Sequence, residues 1–237
     1  MKMPETATAE TVVFIPGLTS TGTLFGPQVN SLKERPIIIA ETCAMDSVEA
    51  MAQRLLDHTP EKFALLGMSM GGYVALEVIR LAPERISRLA LINTNARDDT
   101  AAQTQLRHTQ MEIARKGGFH KIASMQYPQL VHPARHDDTA LRQVVFDMAA
   151  DIGADNFLKQ QNAIINRRDQ RADLPAIQCP TMIVAGEEDS LLPLDRCREM
   201  HDAIPNSKLH IIPDCGHLST LEHPVHTSEL IQDWLDA

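Results

Sequence analysis

The sequence has no paired-cysteine motif, no long basic run and no apolar stretch near the ~20 residues of a membrane span. Each absence removes a class of protein. Cys43, Cys179, Cys197 and Cys215 are scattered with no C-x-x-C pair, which argues against a disulfide framework or a thiolate zinc site. A reducing, cytoplasmic setting is the resulting expectation. The net charge of −9 gives no electrostatic basis for binding nucleic acid or an anionic membrane surface. The opening stretch, MKMPETATAE, has no apolar run behind its lysine and does not read as a secretory signal. G-x-G-x-x-G, G-x-x-x-x-G-K-[ST] and H-E-x-x-H are all missing, so dinucleotide, phosphate-loop and helical zinc motifs are not expected. His132 and His136 stand four apart, but Pro133 between them spoils a regular helix, and no metal site is expected there. No internal repeat or low-complexity tract is present.

What is present is an ordinary globular composition. Hydrophobic residues make up 43% and charged residues 22% of 237, enough for one large α/β domain or two small ones. Short apolar runs at 11–15, 36–40, 63–67, 88–93, 181–185 and 208–212 read as strands covered on both faces. Amphipathic stretches lie between them. In 47–58, Val48, Met51, Leu55 and Leu56 fall at helical spacing; Asp46 or Ser47 can cap the start and Pro60 follows the end. In 72–81, Val74, Leu76, Val78 and Ile79 are dense enough for a buried helix, and Pro83 ends it. Strands alternating with helices predict a mostly parallel central sheet with helices on both faces.

Residues 96–173 break the rhythm. Helical patterns cover 99–116, with Leu106 and Ile113 on one face and Gly117–Gly118 as the stop, then 139–152, closed by Gly153, and 155–168. No convincing strand occurs there. The expectation is a core of 1–95 and 174–237 interrupted by a helical cap at 96–173 that covers a substrate.

The strongest chemical signal is Gly67–Met68–Ser69–Met70–Gly71–Gly72, which follows an apolar strand and opens a helix. That is the setting of a G-x-S-x-G elbow, with small neighbours around a nucleophile on a tight turn. The competing reading is a plain strand-to-helix turn with an incidental serine. A serine hydroxyl needs a positioned base. Among ten histidines, His217 follows the last strand in Pro213–Asp214–Cys215–Gly216–His217, where Gly216 would permit a sharp turn at the sheet's C-terminal edge. His108, His120, His132 and His136 fall in the expected cap, and His223 and His226 flank Pro224 and read as exposed. The base needs an acid to hold its tautomer. Glu187, Glu188 and Asp189 compete after the fifth strand; Asp189 lies deepest past the Gly186 turn, and the two glutamates read as solvated. Some related folds carry this acid after the preceding strand, but that position here reads Asn93–Thr94–Asn95. For an oxyanion, the amide of Met70 is one candidate donor, and Leu18 in Pro16–Gly17–Leu18–Thr19–Ser20 is the other.

Taken together, the blocks FIPGL, GMSMGG, VAGEEDSLLP and GHLSTLEHP, in that order, resemble the α/β-hydrolase superfamily over nearly the whole chain. The resemblance is to compact bacterial members such as esterases and enol-lactonases. It implies a mostly parallel sheet with a helical cap, a Ser69–His217–Asp189 triad, no cofactor and a small-molecule ester-type substrate. Two departures stand out. Pro16–Gly17 replaces the His-Gly of many members, and the usual first two strands are not visible before residue 11, so the sheet should be short at that edge. Ser69, where the dehalogenase and epoxide-hydrolase branches carry Asp, argues against them. The leading expectation is hydrolysis of a small carboxylic ester or lactone. Acyl transfer or C–C bond hydrolysis by the same residues, and a catalytically silent ligand-binding protein, are the alternatives. Oligomeric state is not readable.

Overall fold

In the computed structural model, which describes residues 9–237, parallel strands form one sheet in the order β2-β1-β3-β4-β5-β6. The strands are β1 (Val12–Ile15), β2 (Ile37–Ile39), β3 (Phe63–Met68), β4 (Ile86–Ile92), β5 (Thr181–Gly186) and β6 (Ser207–Ile212). All but Ala9 and Glu10 of the stretch read above as carrying no signal lie outside the described residues. The expected parallel sheet is present. β4 starts at Ile86, before the predicted residue 88, because Pro83–Arg85 forms only a short turn ahead of it.

Helices α1 (Gly26–Ser31), α2 (Val48–Asp57) and α3 (Met70–Leu81) connect the first four strands. Next come α4 (Ala101–Ile113), α5 (Phe119–Leu130) and α6 (Thr139–Ile165), between β4 and β5. The chain closes with α7 (Asp195–Ala203), α8 (Ser219–Glu222) and α9 (Pro224–Asp236). Period-two alternation divides the core between the two sheet faces. Val13, Ile15, Phe63 and Leu65 pack with the apolar sides of α2 and α3. Val12, Phe14, Leu66 and Met68 pack with Phe25, Trp234 and Leu235 on the other face. Capping fixes several helix starts: the Ser47 hydroxyl accepts from Ala50 N, and Asp138 accepts from Leu141 N. Thr100 and Gln103 form a reciprocal capping box on α4.

The insertion differs from the sequence reading in two ways. α5 was not foreseen. Leu106 on α4 faces no core; it is exposed at the mouth of a cavity, and Met111 is the buried residue of that helix. Gly153 does interrupt the helical pattern: at φ 74° and ψ 168° it is non-helical and separates two helical segments within α6.

The strand order reverses direction between β1 and β3. Loops leaving the C-terminal ends of strands on either side of such a switch point diverge and leave a crevice. Register pairs Ile15 with Gly67 and Met68 with Ile92, so the turns after β1, β3 and β4 emerge side by side.

Candidate active site

Ser69 sits between β3 and α3 with φ 54° and ψ −121°, a conformation that costs a non-glycine residue about 1–3 kcal/mol. Neighbouring bonds hold it there: Ser69 N donates to Ile92 O at 3.0 Å, and Thr94 Oγ1 donates to Ser69 O at 2.7 Å. The glycines are required by contact. A Cβ on Gly67 would lie 2.3 Å from Gly71 O, and one on Gly71 would lie 2.0 Å from Ile15 O. Ser69 occupies the N-cap position of α3, yet its side chain makes no capping bond. Its Oγ lies 2.9 Å from His217 Nε2 instead.

His217 Nδ1 is 2.7 Å from Asp189 Oδ2, and these residues are 2% and 4% exposed. The other Asp189 oxygen accepts from the amides of Leu191 and Leu192 at 3.0 and 2.9 Å. A carboxylate with that many donors is an acceptor throughout, so the facing imidazole nitrogen is the one that carries hydrogen. Ser69, His217 and Asp189 are thus brought together in one line. Glu187 and Glu188 are exposed, as read; Glu188 also accepts from Cys215 N at 3.0 Å.

The His217 loop is shaped differently from the expectation. Gly216 has no positive φ; the residue that turns there is Asp214, at φ 52°. Gly216 is small because a Cβ would meet the backbone of Val131 and His132 at 2.5 Å. That close approach lets His217 N and Leu218 N both donate to Leu130 O, at 3.0 and 3.1 Å, tying the loop to the end of α5.

The turn after β1 runs alongside the elbow. A Cβ on Gly17 would be 3.2 Å from Ser69 Cβ and 3.8 Å from its Oγ. Leu18 and Met70, the candidate oxyanion donors, both line the same cavity as Ser69 and His217. The cavity encloses about 130 Å³. Its walls combine Leu24, Met68 and Leu218 from the sheet domain with Leu106, Val145 and Met148 from the insertion.

Three supporting residues escaped the sequence reading. Asn93 Nδ2 donates to Asp189 Oδ2 at 3.0 Å, while its Oδ1 accepts from Ser219 Oγ at 2.6 Å. Gln160 Oε1 accepts from Thr19 N at 3.0 Å, next to Leu18. Buried Glu222 accepts from Leu218 N at 3.1 Å and His132 N at 2.7 Å. Only the adjacency of Asn93 to the end of β4 signalled any of these.

The remaining histidines take no part. His108, His120 and His226 are exposed, and His223, half-buried, bonds to Asp214 O. His132 does not pair with His136; its ring stands within 4.8 Å of the exposed Glu188 and Asp214. All four cysteines are free. Burial, reinforced by the charges of Glu222, Asp189 and Glu188, pushes the Cys215 thiol up, so it is no rival nucleophile.

Comparison with known proteins identifies the fold family. A family model described as the alpha/beta hydrolase fold matches residues 33–224. A pimeloyl-[acyl-carrier protein] methyl ester esterase from Aromatoleum aromaticum is 26% identical over 79% of each chain. A putative carbamate hydrolase from Agrobacterium fabrum is 25% identical over 98% of this chain and 95% of its own. Among solved structures, a thermophilic esterase from Thermogutta terrifontis superposes with a TM-score of 0.87 at 27% identity, over 97% and 90% of the two chains. An enol-lactonase from Burkholderia xenovorans reaches 0.88 at 21% identity, over 98% and 94%, a likeness of fold. Among the described residues no helix is long and apolar enough to cross a membrane.

Proposed function

The chain belongs to the alpha/beta hydrolase fold family, and from that premise we propose that it is a serine hydrolase cleaving a small carboxylic ester or lactone through an acyl-enzyme on Ser69. The observation that carries the reading is the unbroken line of hydrogen bonds from Ser69 Oγ, at the cavity wall, through His217 to buried Asp189. The esterase and carbamate hydrolase relatives support the same class of reaction.

Each step uses a group already in position. His217 Nε2 takes the Ser69 proton as Oγ bonds to the ester carbonyl carbon. Asp189 holds the imidazole tautomer and stabilises the imidazolium. The amides of Leu18 and Met70 donate to the oxygen that becomes anionic, helped by the positive end of α3. The adduct collapses, the alcohol leaves with the proton from His217, and Ser69 stays acylated. Water, deprotonated by the same nitrogen, adds to the acyl carbon and releases the acid. Residues 96–173 act as a cap over the core of 1–95 and 174–237, a role supported by the cavity lining drawn from both. The four free thiols fit a reducing, cytoplasmic compartment.

A fluorophosphonate probe tests the reading. The adduct should map to Ser69, and Ser69→Ala should lower kcat by on the order of 10⁶-fold. An adduct on Ser20, or full activity in the Ala variant, would overturn it. Product analysis with alcohol or thiol acceptors present separates hydrolysis from acyl transfer.

A further inference from the structure

The cavity holds a charge that the proposed chemistry does not use. Asp99, just before α4, is buried, its side chain 1% exposed. It accepts from Arg107 Nε at 2.6 Å and from Arg167 Nη1 at 2.8 Å. Asp99, Arg107 and Arg167 all line the cavity that contains Ser69 and His217. Two guanidiniums therefore share one carboxylate, and one positive charge is left over. Two other buried carboxylates nearby do not line the cavity: the oxygens of Asp189 are taken by His217, Asn93, Leu191 and Leu192, and those of Glu222 by the amides of Leu218 and His132. Arg97 and Glu199 pair with each other outside the lining.

The arginines are also fixed in place. Arg167, its side chain 3% exposed, donates to the carbonyls of Arg97 and Ile164. Its guanidinium carbon sits 4.2 Å from the ring centroid of Tyr73. Tyr73 lies on α3 one turn beyond Ser69, about 6 Å along the axis. Arg107 Nη1 donates to Gln161 Oε1, whose amide is in turn bonded to Gln110. Among the described residues, Nη2 of neither arginine has a hydrogen-bond partner. A buried charge without its counter-ion is costly, and spare guanidinium donors recognise a carboxylate with directional bonds.

We propose that the substrate is an anionic ester, one carrying a free carboxylate that seats on Arg107 and Arg167 while its ester carbon meets Ser69. This deepens the ester-hydrolase reading and rests on Ser69 being the reacting group. Leu18, Met70 and Met148 line the same cavity, apolar contacts that suit an aliphatic chain between ester and carboxylate.

Matched substrates test it. 4-Nitrophenyl half-esters of succinate, glutarate and adipate are compared with the same compounds capped as methyl esters. In the wild type the best half-ester should exceed its capped twin in kcat/KM by on the order of 10²-fold, the scale of a buried charge pair. Arg107→Met should collapse that ratio toward one, mainly through KM for the half-ester. Arg107→Lys, which keeps the charge and the Asp99 pairing, should retain part of it. Calorimetry on Ser69→Ala with monomethyl and dimethyl glutarate reads the charge preference without chemistry. Tighter binding of the monoanion there, with no turnover of any ester by the wild type, would sink the hydrolase reading and leave the anion site standing. Equal binding of the two in Ser69→Ala, or a half-ester ratio unchanged in Arg107→Met, would overturn the anion site.

Discussion

Asn93 and His217 donate to the same oxygen of Asp189, at 3.0 and 2.7 Å. Asn93 Nδ2 also donates to Gly216 O at 3.3 Å, so one amide ties Asp189 to the loop that carries His217. Its backbone is at φ 43°, a conformation that asparagine and glycine tolerate. Asn93→Gly removes the amide without backbone strain. It should lower kcat by roughly 10–100-fold, with KM changed far less, because orientation of the acid–base pair matters most in the transition state. Stopped-flow acylation rates beside thermal melts decide it. A Gly variant that loses stability but keeps full kcat would leave Asn93 a purely structural residue.

Asp189→Asn carries a double penalty. Both carboxylate oxygens accept, Oδ1 from two amides and Oδ2 from His217 and Asn93. Any placement of a carboxamide turns its NH₂ against a donor. The wrong tautomer of His217 costs roughly 10⁴-fold in the serine-protease case, and the clash should lower the melting temperature as well. Glu187→Gln and Glu188→Gln should stay within about twofold of wild type, since solvent-exposed loop carboxylates contribute little. A severe rate defect in a glutamate variant with a mild one in Asp189→Asn would reverse the assignment.

Much of this was legible because it rests on local rules. Strands buried on both faces must be apolar throughout, so β1, β3 and β5 announced themselves. The elbow was legible because contact with Ile15 O and Gly71 O leaves no room for a side chain at positions 71 and 67. The unread parts depend on tertiary approach. α5 contains Pro128, and the glycine pair before it resembles a stop. Leu106 looked like a core position, but the insertion lines a cavity instead. Gln160 joins a partner 141 residues away and Asn93 one 96 away, distances at which no spacing rule operates.

The thiols should be quiet in the native protein. Burial pushes Cys197 up to about 12, and raises Cys43, Cys179 and Cys215 as well. At pH 8 the thiolate fraction of Cys197 is then on the order of 10⁻⁴, and thiolate is the reactive form. A disulfide-exchange reagent should titrate four thiols in denaturant. In the folded protein it should reach the half-buried Cys43 and Cys179 before the others. A raised thiol makes the folded state bind more protons above the unfolded thiol value of about 8.5, so the stability it confers falls as pH rises from there. Rapid native labelling of Cys197 or Cys215 at pH 8 would contradict this.

Gln160 links the insertion to the loop that holds a candidate oxyanion donor. It is fully buried on α6, its Oε1 accepting from Thr19 N and its Nε2 donating to Thr42 Oγ1 at 3.1 Å. Thr19 is held at φ 54°, and the preceding residue is Leu18. Freeing the Thr19 amide should let this turn relax and draw the Leu18 N–H away from the developing charge. Loss of one oxyanion donor costs about 10²–10³ in kcat, so displacement without loss should cost about 10–10². Gln160→Leu should therefore lower kcat by that amount while KM stays within a few-fold, because the bond to the anionic oxygen strengthens only in the transition state. Gln160→Glu keeps an acceptor for Thr19 and gives up the donor bonds to Thr42 Oγ1 and Cys43 Sγ, so it should recover more of the rate than Gln160→Leu. Single-turnover acylation of wild type and both variants by one activated ester supplies the comparison. Equal losses in Leu and Glu, tracking a fall in melting temperature, would mean that Gln160 only packs α6 against the core and does not tune the turn after β1.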